Sequence, residues 1–195
     1  MYKKNKLIFS MLTLLYFLSG FINIYFSYLA IACMAIPFLL LSRFKKNVWC
    51  TGICPRADYL SHFRIFNLGK KTPTWLFSDK MKNNIFMYFC INLMFIILSS
   101  FMVSQGKILP IEKIRLFIAF QLPWNIPQLW TIDYYHPLLN HLAFRFYSLM
   151  LSSALLGTFL AVVYKPRTWC VICPVKTLSS RYLTIINTEK EVINE

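Results

Sequence analysis

The chain has 195 residues, a formal charge of +14, 57% apolar residues and only 14% charged ones. Apolar residues in unbroken runs, without an amphipathic scatter, exclude an ordinary soluble domain. They also remove the nucleic-acid reading of the positive charge, because basic residues flanking apolar runs are topology determinants and lipid-headgroup contacts first.

In chain order, Lys3, Lys4 and Lys6 precede a first apolar run over residues 7–20. The pattern looks like a secretory signal, but no small-x-small site follows directly, and Ala30-Ile31-Ala32 comes too late. A signal anchor is expected rather than a cleaved leader. A weak turn between Gly20 and Asn23 leads into a second run, residues 25–44. A bilayer crossing needs about 20 apolar residues, so the uncharged stretch 7–41 is too long for one helix and reads as a hairpin. Arg43, Lys45 and Lys46 then precede Trp49-Cys50-Thr51-Gly52-Ile53-Cys54-Pro55.

Residues 85–103 form a third run, followed by an outer segment over residues 105–140. Ile111, Ile114, Phe117 and Ile118 have helical spacing, which predicts an interfacial helix over 111–120. Trp124, Trp130, Tyr134 and Tyr135 extend an aromatic headgroup belt. The sharper alternative is a quinone or partner site in which Asp133, His136, His141 or Arg145 handles protons or an anionic group. The fourth run covers 142–164, and Lys165 and Arg167 introduce Trp169-Cys170-Val171-Ile172-Cys173-Pro174. No ionisable residue is expected near a span centre. Cys33 and Cys90 read as packing residues inside the second and third spans. Asn92, Ser152, Ser153 and Gly157 read as helix-packing positions.

The expected fold is an all-α integral membrane protein, with four transmembrane helices arranged as two parallel-repeat hairpins plus the interfacial helix. It forms one membrane domain over residues 1–195, with internal repeats of approximately 5–64 and 84–183. With the N-terminus inside, all but four of the 21 Lys and Arg residues fall on the cytoplasmic side; Lys107, Lys113, Arg115 and Arg145 are the exceptions. The expected location is the plasma or inner membrane, with both termini cytoplasmic. Both cysteine pairs then lie at the cytoplasmic face, where thiols stay reduced and metal ligation is favoured over disulfides.

A repeat axis along the membrane normal would bring the pairs face to face. Cys50, Cys54, Cys170 and Cys173 are therefore candidate ligands for an iron–sulfur cluster, a single iron or a zinc ion. The alternative is a dithiol–disulfide relay. Pro55 and Pro174 suit the first turn of a helix, and Trp49 and Trp169 read as interfacial anchors.

A Cys-x-x-x-Cys-Pro motif after a transmembrane hairpin, echoed later in the chain, resembles a family of membrane-bound 4Fe-4S-binding proteins. That family includes the quinol-oxidising membrane subunit of periplasmic nitrate reductase systems, the membrane regulator of nitrous oxide reductase and a dehalogenase-associated membrane protein. The resemblance implies membrane electron transfer through an iron–sulfur cluster, 4Fe-4S before 2Fe-2S, held by Cys50, Cys54, Cys170 and Cys173. Two features depart from it: the second pair is one residue shorter, and no ferredoxin or flavin module accompanies the membrane core. The chain is thus expected to be an electron-transfer subunit rather than a self-contained enzyme. Its expected partners are membrane lipid and either a redox protein (a ferredoxin or flavoprotein) or quinone. A centre at one face could not alone carry electrons across a hydrocarbon core about 30 Å thick.

Overall fold

The computed structural model describes residues 6–66, 68–117, 120–123, 127–129 and 136–193. Lys3, Lys4, Ile118, Trp124, Trp130, Asp133, Tyr134 and Tyr135 lie outside the described residues.

Helix α1 (Lys6–Ile22) is apolar on most of its surface. It stops at Asn23, whose side-chain oxygen accepts the Tyr25 N–H at 2.9 Å. This cap starts a 3₁₀ turn, Ile24–Tyr28, that runs straight into α2 (Leu29–Phe44). The break between the first two apolar runs therefore falls where the sequence placed a turn. α2 carries Pro37 in its interior and stops at Lys45, which is left-handed with φ 50°. A π-helical turn, Trp49–Ile53, and α3 (Pro55–His62) follow.

After a 3₁₀ turn at Thr74–Phe77, Ser78 caps α4 (Asp79–Ser104) by accepting the Met81 N–H at 3.3 Å. A two-stranded antiparallel hairpin, β1 (Arg115–Leu116) with β2 (Phe120–Gln121), precedes α5 (Pro137–Val163). Pro137 in the first turn of α5 lacks only an N–H that would be unpaired anyway. Arg167, again left-handed with φ 65°, leads into the short α6 (Thr168–Ile172), and α7 (Pro174–Ile193) completes the chain.

Among the described residues the fold is all-α apart from that hairpin. Three segments are long and apolar enough to cross a membrane: Ile24–Phe44, Asp79–Ser104 and Pro137–Val163. At 17 residues, α1 extends about 26 Å, short of the roughly 30 Å hydrocarbon core.

Two cores hold the helices. At the end where α1 turns into α2, the core is Ile24, Ile114, Ala143, Phe144 and Tyr147. Here the Tyr147 hydroxyl donates to the Phe17 carbonyl at 3.0 Å, and Ser27 Oγ donates to the Ala143 carbonyl at 2.8 Å. Gly20 is required at this crossing, because a Cβ would overlap the Tyr147 ring. At the opposite end, Leu60, Leu76, Leu160, Ala161, Trp169 and Ile172 form the second core.

Over its described residues, the interfacial helix expected at 111–120 does not form. The segment is folded inward as the β1–β2 hairpin, with Phe117 at φ 49°, a conformation that ends any helix. Its backbone is satisfied by α5: the Arg115 N–H donates to Ser148 Oγ and the Phe117 N–H to Ser152 Oγ, both at 3.1 Å. Non-helical backbone is tolerated at such depth only where protein groups accept its N–H bonds. Ser152, expected to be a packing residue, is an acceptor for this hairpin. Of the apolar residues at that spacing, Ile114 is buried in the core beside Ala143 and Phe144 of α5, while Phe117 stays exposed.

Candidate metal centre

The loops that carry the cysteine pairs turn back into the bundle. After α2, the Asn47 side chain accepts the Cys50 N–H at 3.4 Å and the Thr51 hydroxyl donates to the Asn47 carbonyl at 3.0 Å. These bonds fold residues 47–51 into the π turn. It closes with the Cys54 N–H on the Trp49 carbonyl at 3.0 Å, an i→i+5 bond. In the second half, the Cys170 N–H bonds the Arg167 carbonyl at 2.9 Å, and the turn is α-helical. The extra residue of the first pair is thus absorbed by the wider turn.

Each turn delivers a proline-started helix, α3 or α7. α3 begins deep: the Arg56 guanidinium contacts Met150 Sδ at 3.2 Å, and Met150 is the central residue of the 27-residue α5. Leu60, one turn later, is fully buried against Leu160 and Trp169 nearer the end of α5. The cysteines therefore lie within the bundle rather than just beyond the helix ends.

All four motif cysteines line one cavity of about 80 Å³, together with Cys33, Met34, Arg56 and Met150. Cys33, read from the sequence as a packing residue, thus also lines the cavity of the motif cysteines. Cys33 is the fifth residue of α2 and lies within electrostatic reach of Cys54 and Cys173. Nothing in its sequence neighbourhood signals this, because only the return of the loop brings the motif to its level. Cys90 does not join the group and is exposed on α4.

The thiols feel one another across the halves. Burial pushes Cys50 up to about 11, with Cys173 and then Cys54 adding to the rise. Burial pushes Cys170 up to about 12, with Cys54 and Cys173 reinforcing it. Cys54 is also raised by burial, against the opposing pull of a hydrogen bond from the Ala57 backbone and of the Arg56 charge. Lys176 opposes the rise at Cys50, and Arg167 does so at Cys170. Without metal the cavity thus holds Cys50, Cys54 and Cys170 as neutral thiols. Basic groups at its margin favour thiolates once the protons are displaced.

Trp49 and Trp169 are 9% and 5% exposed, so neither is the interfacial anchor expected from its position. Both line the cysteine cavity, and the buried Trp169 indole N–H has no hydrogen-bond partner. Such an orphaned donor is a stabilising partner for thiolate or sulfide. Trp169 stacks over Gly157, where a Cβ would come within 3.3 Å of its ring. An ion pair ties the halves together: Arg167 Nη2 meets Asp58 Oδ1 at 3.0 Å, with the carboxylate side chain only 8% exposed.

Among the described residues, no group of three or more His, Cys, Asp or Glu stands in position to hold a metal ion. The four cysteines share the cavity wall, and ligation requires their Sγ atoms to turn inward from it. In kind and number they fit a thiolate-bound cluster, and the orphaned indole and the marginal cations suit its negative charge.

The other sequence candidates take different roles. His141 is fully buried; its Nδ1 accepts the Ile111 N–H at 3.1 Å and its Nε2 meets Ser99 Oγ at 3.0 Å. Both nitrogens thus hold the hairpin entry against α4. His136 is exposed at the start of α5. Charge does occur at mid-bundle, contrary to expectation: Arg56 reaches the centre of α5, Arg115 is anchored at Ser148, and Arg145 stands one turn before Ser148. Comparison with family models, curated proteins and solved structures returned no match.

Proposed function

We propose that the protein is a membrane electron-transfer subunit that binds an iron–sulfur cluster, 4Fe-4S in type, through Cys50, Cys54, Cys170 and Cys173. The observation that carries this reading is the single cavity lined by all four motif cysteines from opposite halves of the chain. When bound, such a cluster supplies a reversible one-electron couple. Trp169, with its unpartnered N–H, would be placed to donate to such a group, Arg56 and Lys176 would offset the thiolate charge, and the Asp58–Arg167 pair joins the two halves.

In this reading α1 is a short fourth span, both termini are cytoplasmic, and the two hairpins are parallel repeats. Matched features support the repeat: left-handed Lys45 and Arg167, buried Trp49 and Trp169, and helix-starting Pro55 and Pro174. Lys70, Lys71, Lys80 and Lys82 lie on the basic side and suit docking of an acidic ferredoxin or flavoprotein. Membrane quinone is the alternative redox partner, and the location is the plasma or inner membrane.

Anaerobic purification in detergent, with iron, acid-labile sulfide and zinc assays and EPR before and after dithionite, tests the proposal. Iron with sulfide, lost in Cys50→Ser and in Cys173→Ser, is the expected result. Stoichiometric zinc without an EPR signal overturns it. Metal-free protein whose thiols cycle against quinone overturns it in favour of a dithiol relay. Thiol labelling of Cys50 from outside intact cells would reverse the orientation.

A further inference from the structure

A second cavity, of about 250 Å³, lies beside the cysteine cavity and shares six lining residues with it, Cys173, Arg56, Met150 and Trp169 among them. Its wall is apolar on the α4 side, where Ile85, Phe89 and Phe95 contribute. Against this wall stand Arg115 and Arg145. They come from different elements and lie within electrostatic reach of each other. The Nε atom of each is buried and has no hydrogen-bond partner. Among the described residues neither forms an ion pair, and no Asp or Glu lines the cavity. Glu112 lies in an adjoining recess that the two arginines also border.

Two like charges held together in a largely apolar wall are costly unless an anion joins them. The arrangement is also built rather than incidental, because the Ser148 hydroxyl pins the backbone of Arg115. Arg145, Ser148 and Ser152 fall on one face of α5 by helical spacing. Guanidinium pairs match phosphate and carboxylate oxygens. The apolar remainder of the cavity suits a hydrocarbon chain, and the half-exposed Tyr88 and Phe95 leave a way in from the lipid side of α4.

We propose that this cavity binds an amphipathic anion, with its carboxylate or phosphate head on Arg115 and Arg145 and its apolar chain along α4. A free fatty acid and an anionic phospholipid share this chemistry. The proposal does not depend on the cysteine ligands.

The test uses the full chain, delipidated in a neutral detergent and titrated with cis-parinaric acid, a fluorescent carboxylate with an apolar chain. Expected is saturable binding near one per chain, displaced by oleate but not by dioleoylphosphatidylcholine or inorganic phosphate. Displacement by dioleoylphosphatidylglycerol as well assigns a lipid headgroup; displacement by oleate alone assigns a free fatty acid. Arg115→Gln and Arg145→Gln each weaken binding at least about tenfold, while Arg181→Gln, whose side chain bonds Asn83 at the other end of α4, leaves it unchanged. Because an arginine variant could misfold, Leu149→Trp gives an independent check: it fills the chain space, keeps both arginines and also abolishes binding. No saturable binding, equal displacement by phosphatidylcholine or by a neutral quinone, or full affinity in both glutamine variants overturns the proposal.

Discussion

The first cysteine turn closes through an i→i+5 bond between the Cys54 N–H and the Trp49 carbonyl, whereas the second is an α-helical turn with one residue fewer between its cysteines. The helices that follow also differ: α3 is a short, deeply packed peg of 8 residues, while α7 runs for 20. Both nevertheless bring their thiols to the same cavity. Turn type and spacing vary together here, so the position of the second thiol is kept while its number in sequence is not. If the halves are repeats, as proposed, a motif compared by spacing alone understates their equivalence.

The largest test of that equivalence is ligand removal in one half at a time. Cys54→Ser and Cys173→Ser should each lower iron and sulfide content by more than the roughly 10–100-fold expected for loss of an outer-shell partner. Retention of the cluster in either variant would show that the halves are not joint ligand sources. Next in size is Gly20→Ala, which forces a Cβ into the Tyr147 ring and should cost about 1–3 kcal/mol in detergent unfolding. Gly157→Ala, with its nearest contact at 3.3 Å, should cost less and act on cluster content through Trp169.

Breaking the tie between the halves with Asp58→Asn should cost about 1–2 kcal/mol, because the carboxylate is buried but Arg167 is 42% exposed. Thermal melts of the metal-free protein measure it. The comparison is sharpened by deleting Thr51, an exposed residue of the π turn. The turn should relax to an α-helical one, with iron content within about twofold of the parent. The smallest effect is kinetic. Burial raises Cys50 to about 11 and Cys170 to about 12, so both stay protonated at pH 8. Their alkylation in metal-free protein should be roughly tenfold or more slower than that of an ordinary thiol. It should accelerate with pH up to those values instead of levelling near 9. Mass spectrometry of iodoacetamide-treated samples reads each site.

The long apolar runs made the three long helices legible, and the turn at Asn23 was legible from a polar residue between two such runs. The pairing of the cysteine motifs was legible from their shared Trp and Pro flanks. Depth was not. The left-handed conformation of Lys45 and Arg167 folds each loop back into the bundle, and neither residue type advertises a positive φ. For the same reason Cys33 and Arg56 could not be assigned to the cavity from their positions in sequence. The β1–β2 hairpin was misread because its apolar residues happen to repeat at helical intervals. The acceptors that make it possible, Ser148 and Ser152, lie more than 30 residues away on another element.

Pro37 gives α2 a property that no other spanning helix here shares by composition. Proline has no N–H to return to the carbonyl four residues earlier, and that carbonyl belongs to Cys33. The rung is therefore missing at the level where α2 borders the cysteine cavity, which makes this the natural flexing point of the helix. The cavity wall thus joins the two cysteine turns to one segment with built-in slack.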